Sequence, residues 1–181
     1  STLPATAFQS AELQYGFASI SDGSGALGGS LRLNSQADFS KKFELSLGQF
    51  VGSFGQRQTT LGAEGRLGKL YLQTQAYHFQ ALNNFSYPDI TQPGFPEREM
   101  RNNSYAQQGL MQNIYYRLSP KKVWSLKTWY NEVERKLPPP ITGNLNQFDQ
   151  LKDRSLASVL QFQQKLNNGR LLLNSGLHYA E

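Results

Sequence analysis

Cysteine is absent from this 181-residue chain, which excludes disulfide frameworks, cysteine-ligated zinc and thiol catalysis together. Histidine is scarce: His78 and His178 stand alone in separate segments, so neither is read as a metal ligand or a catalytic base. Long apolar runs are lacking as well. No stretch approaches the roughly 18 apolar residues of a membrane-crossing helix, and Ser1 opens no basic-then-apolar secretion signal, so the signal of an exported protein is expected outside this stretch. The segment from Leu171 to Glu181 reads as a strand without a terminating loop, and both ends are expected to be cut from a longer chain. Closely spaced carboxylates are limited to Glu97 with Glu99 and Glu132 with Glu134. Both pairs are read as solvated loop and rim charges, so no catalytic residue, enzyme activity, cofactor or metal is expected.

What is present is an uneven mixture: 38% apolar residues, 12% aromatic and 16 glycines, with Gln and Asn scattered through every candidate element. Such a mixture makes a poor two-layer core and suits strands with one apolar and one polar face. Period-two alternation predicts seven strands. The first, 43–51, sets Phe43, Leu45, Leu47 and Val51 against Glu44, Ser46 and Gly48. The second, 57–66, and the third, 70–80, oppose Leu61 and Ala63 to Gly62 and Glu64, then Leu70, Leu72 and Ala76 to Gln73 and Gln75. The fourth, 105–118, opposes Leu110, Ile114 and Tyr116 to Gln107, Gly109 and Asn113, and the fifth, 123–135, opposes Trp124, Leu126 and Tyr130 to Ser125, Lys127 and Asn131. A sixth carries Leu156, Leu160 and Phe162, and a seventh Leu171, Leu173, Leu177 and Tyr179. Gln108 and Gln112 fall on the apolar side of the fourth strand. An unpaired amide there costs on the order of several kcal/mol, so a bulge or a shifted register is expected.

The connections alternate in length. Tight turns are predicted at 67–68, 119–121 and 167–169, and long connections rich in Pro, Asn, Gly and charge at 83–104 and 137–152. Bacterial outer-membrane barrels have this parity, with short periplasmic turns and longer extracellular loops. It predicts that the first strand starts at the periplasmic end. Of the 18 basic residues behind the net charge of +5, nine cluster at that end: Lys41, Lys42, Arg66, Lys69, Arg117, Lys121, Lys122, Lys165 and Arg170. No basic stripe interleaved with stacking aromatics emerges, and nucleic acid is not expected as a partner. Tyr71, Tyr115, Tyr116, Trp124, Trp129, Tyr130, Phe162 and Tyr179 fall towards strand ends, as interface girdles require.

Residues Gly23-Ser24-Gly25-Ala26-Leu27-Gly28 spell the dinucleotide fingerprint G-x-G-x-x-G. That reading needs a helix to begin at the motif and meet the pyrophosphate. The continuation Gly29-Ser30-Leu31-Arg32-Leu33 is strand-like instead. Taken from Glu12 and Gly16 through Gly23, Gly25, Gly28 and Gly29, the stretch resembles the final segment of the plug domain of TonB-dependent receptors, where an E-x-x-x-G strand and turn lead into G-S-G-A-[IL]-G-G just before the barrel. Consecutive glycines suit that place, since they allow tight positive-φ turns and close packing in a crowded lumen.

The resemblance implies an all-β fold: the end of a plug over residues 1–36, then, over 37–181, about seven strands of a transmembrane antiparallel β-barrel of roughly 22 strands. It implies a receptor in the bacterial outer membrane for active uptake of a scarce nutrient, such as a ferric siderophore or cobalamin. The partners it implies are outer-membrane lipid, a small nutrient ligand, and TonB, which a segment N-terminal to this stretch would contact. Asn84-Phe85-Ser86-Tyr87 and Arg101-Asn102-Asn103 look like the corresponding stretches of receptors from Bacteroidota. A secreted or surface all-β binding protein without transport activity is the alternative. It should show apolar faces meeting across a core and loops of similar length at both ends.

Overall fold

A computed structural model describes the backbone of residues 10–15 and 29–34, and backbone with side chains over 35–139 and 148–181. The described residues are all-β. Strands β1 (Ser10–Tyr15) and β2 (Gly29–Asn34) pair antiparallel as a two-stranded sheet. A seven-stranded antiparallel sheet follows, made of β3 (Phe43–Val51), β4 (Arg57–Leu67), β5 (Leu70–Ala81), β8 (Tyr105–Ser119), β9 (Lys122–Leu137), β10 (Asp149–Leu166) and β11 (Gly169–Ala180). Its strands lie in chain order, so it is a meander. The excursion between β5 and β8 carries a short third sheet, β6 (Ser86–Pro88) with β7 (Glu97–Glu99). The sheet is open, with β3 and β11 at its edges.

All seven strands predicted by alternation form, and in the predicted order. Three two-residue turns join them at one end: Gly68 and Lys69, Pro120 and Lys121, and Asn167 and Asn168. Gly68 takes the left-handed conformation (φ 61°) that a tight hairpin turn demands and glycine adopts without a Cβ penalty. The nine basic residues named above lie at this end. At the other end, residues 52–56 close the β3–β4 hairpin, while 82–104 and 138–148 make the longer links.

Two boundaries differ from expectation. The link expected over 137–152 is shorter, because β9 and β10 continue past the alternating core and pair to the rung Leu137 with Asp149. The link over 83–104 is an ordered structure rather than coil. Asp89 anchors it, accepting from the Thr91 hydroxyl (2.5 Å) and backbone N–H (2.9 Å) and pairing with Arg98 Nε at 2.9 Å. Neither feature produces alternation, so neither was visible to a period-two reading.

The fourth strand is also regular where a bulge was expected. Gln108 and Gln112 keep uninterrupted register with β5 and β9, and the one irregularity of β8 lies between Arg117 and Ser119. The amides are satisfied without any backbone adjustment. Thr74 Oγ1 donates to Gln112 Oε1 at 2.7 Å, Gln112 Nε2 donates to the carbonyls of Gln73 and Asn113 at 3.4 Å each, and Gln108 Nε2 donates to Glu132 at 3.3 Å.

Candidate functional site

Alternation gives the seven-stranded sheet two faces, and burial assigns them opposite fates. In β9, Asn131 is 1% exposed whereas Leu126 is 40% exposed. The same inversion runs through the middle of the sheet: Gln73, Gln107, Asn113 and Ser125 are buried, together with Met111, Val133 and Ala157 on the same face, while Leu72, Leu110 and Leu160 are exposed; in the edge strands β3 and β11 both faces are open. Soluble sheets cover their apolar face and wet their polar one. Here the polar face is the covered one. Tyr71 at 0% exposed shows how crowded that face is.

Burying amides is tolerable only if each finds partners, and these do. At the two-residue-turn end, Glu64 accepts from Tyr71 OH (2.8 Å), Gln73 Nε2 (3.1 Å) and Lys41 Nζ (2.5 Å). Gln73 Oε1 accepts from Asn113 Nδ2 at 2.9 Å, and Asn113 Nδ2 also reaches Ser35 Oγ at 3.2 Å. Towards the opposite end, Asn131 Oδ1 accepts from Tyr77 OH (2.7 Å) and Gln107 Nε2 (2.8 Å), and Gln107 Oε1 accepts from Tyr105 OH (2.8 Å). The register explains the reach of Tyr77. Tyr77, Gly109 and Asn131 form one rung across β5, β8 and β9, so the Tyr77 side chain crosses the central glycine to reach its partner. A Cβ at Gly109 would lie 2.4 Å from the Tyr77 hydroxyl, a use of glycine under an aromatic ring that pins register.

Beside this crowded part, the polar face of β3, β4 and β5 is thinly furnished. Ser46, Gly48, Thr60, Gly62, Gln75 and Tyr77 line a hollow of about 240 Å³. No model of a known protein family matches the chain, and no curated protein matches it.

The exposed face is ordered in rungs. Tyr116, Trp124 and Phe162 stand side by side near the two-residue turns, with the Trp124 and Phe162 rings 4.8 Å apart. The next rung holds Leu72, Ile114, Leu126 and Leu160, then come Thr74, Gln112, Thr128 and Ser158, then Ala76, Leu110, Tyr130, Leu156 and Tyr179. Charge returns only with Glu132, which accepts from Tyr130 OH at 2.9 Å and pairs with Lys152 at 2.6 Å and Arg154 at 3.5 Å. Three aromatics expected in girdles on this face, Tyr71, Tyr115 and Trp129, belong to the polar face, where Tyr71 and Tyr115 are buried. Position along a strand suggested a girdle, but parity decides the face.

Of the residues singled out by motif, Glu12 lies within β1, and Gly29 opens β2 opposite Tyr15. Gly16, Gly23, Gly25 and Gly28 lie outside the described residues. Glu97 and Glu99 are exposed in β7, and Asn84 donates to Glu99 at 2.8 Å. Glu132, expected as a solvated rim charge, is instead the centre of an ion-pair cluster, while Glu134 stays on the rung beside Lys152. His78 shares a rung with Thr59 and Gln108, and His178 pairs opposite Ala157. The meetings of Ser35 with Asn113 and of Tyr77 and Gln107 with Asn131 escaped sequence reasoning, because they depend on register and placement between segments up to 78 residues apart.

Proposed function

We propose that this chain supplies the end of the plug domain, over residues 1–36, and the first strands of the transmembrane β-barrel, over 37–181, of a TonB-dependent outer-membrane receptor. Its function is active uptake of a scarce nutrient, a ferric siderophore, cobalamin or a similar ligand. The observation that carries the membrane part of this reading is the inverted polarity of the sheet. An apolar face left open across seven strands is unfavourable in water and favourable against lipid.

The dimensions agree with a bilayer. Between Lys122 and Glu132 no residue of β9 that faces outward is charged. Ten steps at about 3.3 Å cover roughly 33 Å of strand, and a tilt of about 40° projects this onto roughly 25 Å, the height of a barrel's apolar band. The row of Tyr116, Trp124 and Phe162 stands at one border of that band and Tyr130 with Tyr179 at the other. The plug part is supported by the resemblance of the Glu12 to Gly29 stretch and by the place where the chain leaves β2, since Ser35 is buried against the polar face.

Gel migration tests the reading. Full-length protein extracted in detergent is expected to run faster unheated than boiled, because a closed barrel stays folded until heated. A fully water-soluble protein without this shift would overturn it and favour a surface all-β binding protein.

A further inference from the structure

The two ends of the seven-stranded sheet differ in charge. At the two-residue-turn end, nine cations meet three carboxylates, Asp38, Glu44 and Glu64, whereas at the opposite end and in its links the described residues hold seven cations and eight carboxylates. The three carboxylates are already engaged: Lys41 pairs with both Glu44 and Glu64, and Asp38 accepts from Ser40 N–H at 2.9 Å. Two further cations serve the fold, since Arg66 Nη1 donates to the Phe39 carbonyl at 3.2 Å and the Arg117 guanidinium lies 4.4 Å from the Phe39 ring. Lys42, Lys69, Lys121, Lys122, Lys165 and Arg170 remain. All six are exposed, and none pairs with a carboxylate among the described residues.

Their placement repeats along the sheet. Lys42 precedes Phe43, Lys69 precedes Leu70, Lys122 stands two residues before Trp124, Lys165 precedes Leu166 and Arg170 precedes Leu171. By parity each of these five apolar neighbours belongs to the apolar face. The hairpin ends are staggered, for Leu70 stands opposite Tyr116 while β8 runs on to Ser119, and Phe162 stands opposite Trp124 while β10 runs on to Leu166. Stagger of this kind accompanies tilted strands, and the cations follow it rather than any single rung, so they trace the oblique edge of the apolar face. From the row of Trp124 and Phe162 to Lys122 and Lys165 is two or three residues, at most about 10 Å of strand. A tilt of about 40° makes this about 8 Å of height, which falls in the headgroup layer of roughly 5–8 Å on each side of the hydrocarbon.

The same cations crowd one another. Lys165 stands opposite Arg170 in one rung, and Lys165 N–H donates to the Lys121 carbonyl at 2.8 Å, so three cations occupy neighbouring positions on adjacent strands. Like charges placed in this way destabilise a sheet, and the polar relief at hand is Asn167, which accepts from Lys121 Nζ at 3.4 Å. External phosphates would remove the repulsion. We propose that this rim is a collar for anionic phospholipid headgroups, whose phosphates neutralise Lys121, Lys122, Lys165 and Arg170 where the apolar face ends. The oblique path of the cations favours lipid over an acidic protein segment. Lys165 and Arg170 have polar-face parity, but a wall one sheet thick keeps them within about 10 Å, one Debye length, of the surrounding headgroups. The collar rests on the membrane reading of the apolar face.

Traces of spin-labelled phosphatidylglycerol or spin-labelled phosphatidylcholine, added to the full-length protein in phosphatidylcholine vesicles, test it through the motionally restricted lipid at the protein surface. The phosphatidylglycerol label is expected to associate about fivefold more strongly, the effect of one cation near a membrane surface, and to lose this preference at about 1 M salt, where the Debye length is about 3 Å. Combining Lys121→Gln, Lys122→Gln, Lys165→Gln and Arg170→Gln is expected to bring the two labels close to equality. Arg170→Gln alone is expected to lower the preference part-way, and serves if the combination does not fold, whereas Lys136→Gln, an exposed cation of the balanced end, is expected to leave it unchanged. Equal association of the two labels with the parent would overturn the collar and give the rim to an acidic protein segment; a preference that survives both sets of substitutions would overturn it as well. If neither label shows a restricted component, the protein is not in the bilayer and the functional reading fails together with the collar. A restricted component without preference fails the collar alone.

Discussion

Replacing Gly109 with alanine strikes the rung that ties β5 to β9 across β8. The added Cβ would sit 2.4 Å from the Tyr77 hydroxyl, 2.5 Å from its Cζ and 2.7 Å from the Tyr130 carbonyl, all well inside van der Waals contact. Either the strands part or the Tyr77 ring moves. Moving the ring gives up its bond to Asn131, worth about 1 kcal/mol net, and leaves Asn131 with Gln107 as its remaining described donor. Strain from one extra carbon in a filled site adds about 1–3 kcal/mol, for a total of about 2–4 kcal/mol. Tyr77→Phe, which loses the bond and keeps the ring, should cost only about 1 kcal/mol. The assay is the unfolding midpoint of the full-length protein in detergent for Gly109→Ala, Tyr77→Ala and their combination. If the ring is the main obstacle, the alanine penalty falls by at least about half in the Tyr77→Ala background, with the Tyr130 carbonyl responsible for the remainder. Equal penalties in the two backgrounds would refute the reasoning.

Three further outcomes are expected. Leu126→Arg, placed mid-band on the apolar face, should destabilise the barrel by about 2–4 kcal/mol, read as a smaller heat-shifted fraction on gels, whereas the same change at Leu166, on the same face at the two-residue-turn end of β10, should cost no more than about 1 kcal/mol. Gln112→Leu combined with Thr74→Val should be tolerated within about 1 kcal/mol in the same assay, since the hydrogen bond and both groups that need it are removed together; a large loss would mean that the row of Thr74, Gln112, Thr128 and Ser158 has a role beyond self-satisfaction. In the connection between β5 and β8, Thr91, through its hydroxyl and its backbone N–H, and to a lesser degree Arg98 hold the Asp89 carboxyl below the usual carboxylate range. A depressed pKa contributes stability that is complete above the unfolded value of about 3.9 and is lost as pH falls through the lower folded value. The spectrum of a nitroxide label at Gln92→Cys, in the same connection, should therefore be unchanged from neutrality to about pH 5 and loosen only below about pH 4, and a loosening near pH 6 would contradict the assignment.

Much of the fold was legible because alternation is a local signal: Leu45, Leu47 and Leu61 declare their face within a few residues. What alternation cannot report is which partner a side chain meets across strands. Gln112 looked anomalous because Thr74 lies 38 residues away in sequence, and no local pattern says that the two share a rung. Tyr71 and Tyr115 looked like girdle residues because aromatics near strand ends occur on both faces, and only parity counted through the observed register separates them. The extension of β9 and β10 to Leu137 and Asp149 was hidden by Glu, Lys, Arg and Asp, residues typical of loops that here continue the ladder beyond the apolar band. The polar cluster around Ser35 depends on where the chain leaves β2, a feature of tertiary placement with no periodicity to betray it.

The central claim is that the exposed apolar face meets lipid. Nitroxide labels placed singly at Leu61, Leu72, Leu110, Leu126 and Leu160 of the full-length protein in lipid vesicles test it through collision rates with oxygen, which concentrates in the bilayer, and with a water-soluble nickel chelate. The account predicts high oxygen and low nickel accessibility at all five positions. High nickel accessibility would place the face in water, and low accessibility to both would place it against protein, and either result would contradict the account.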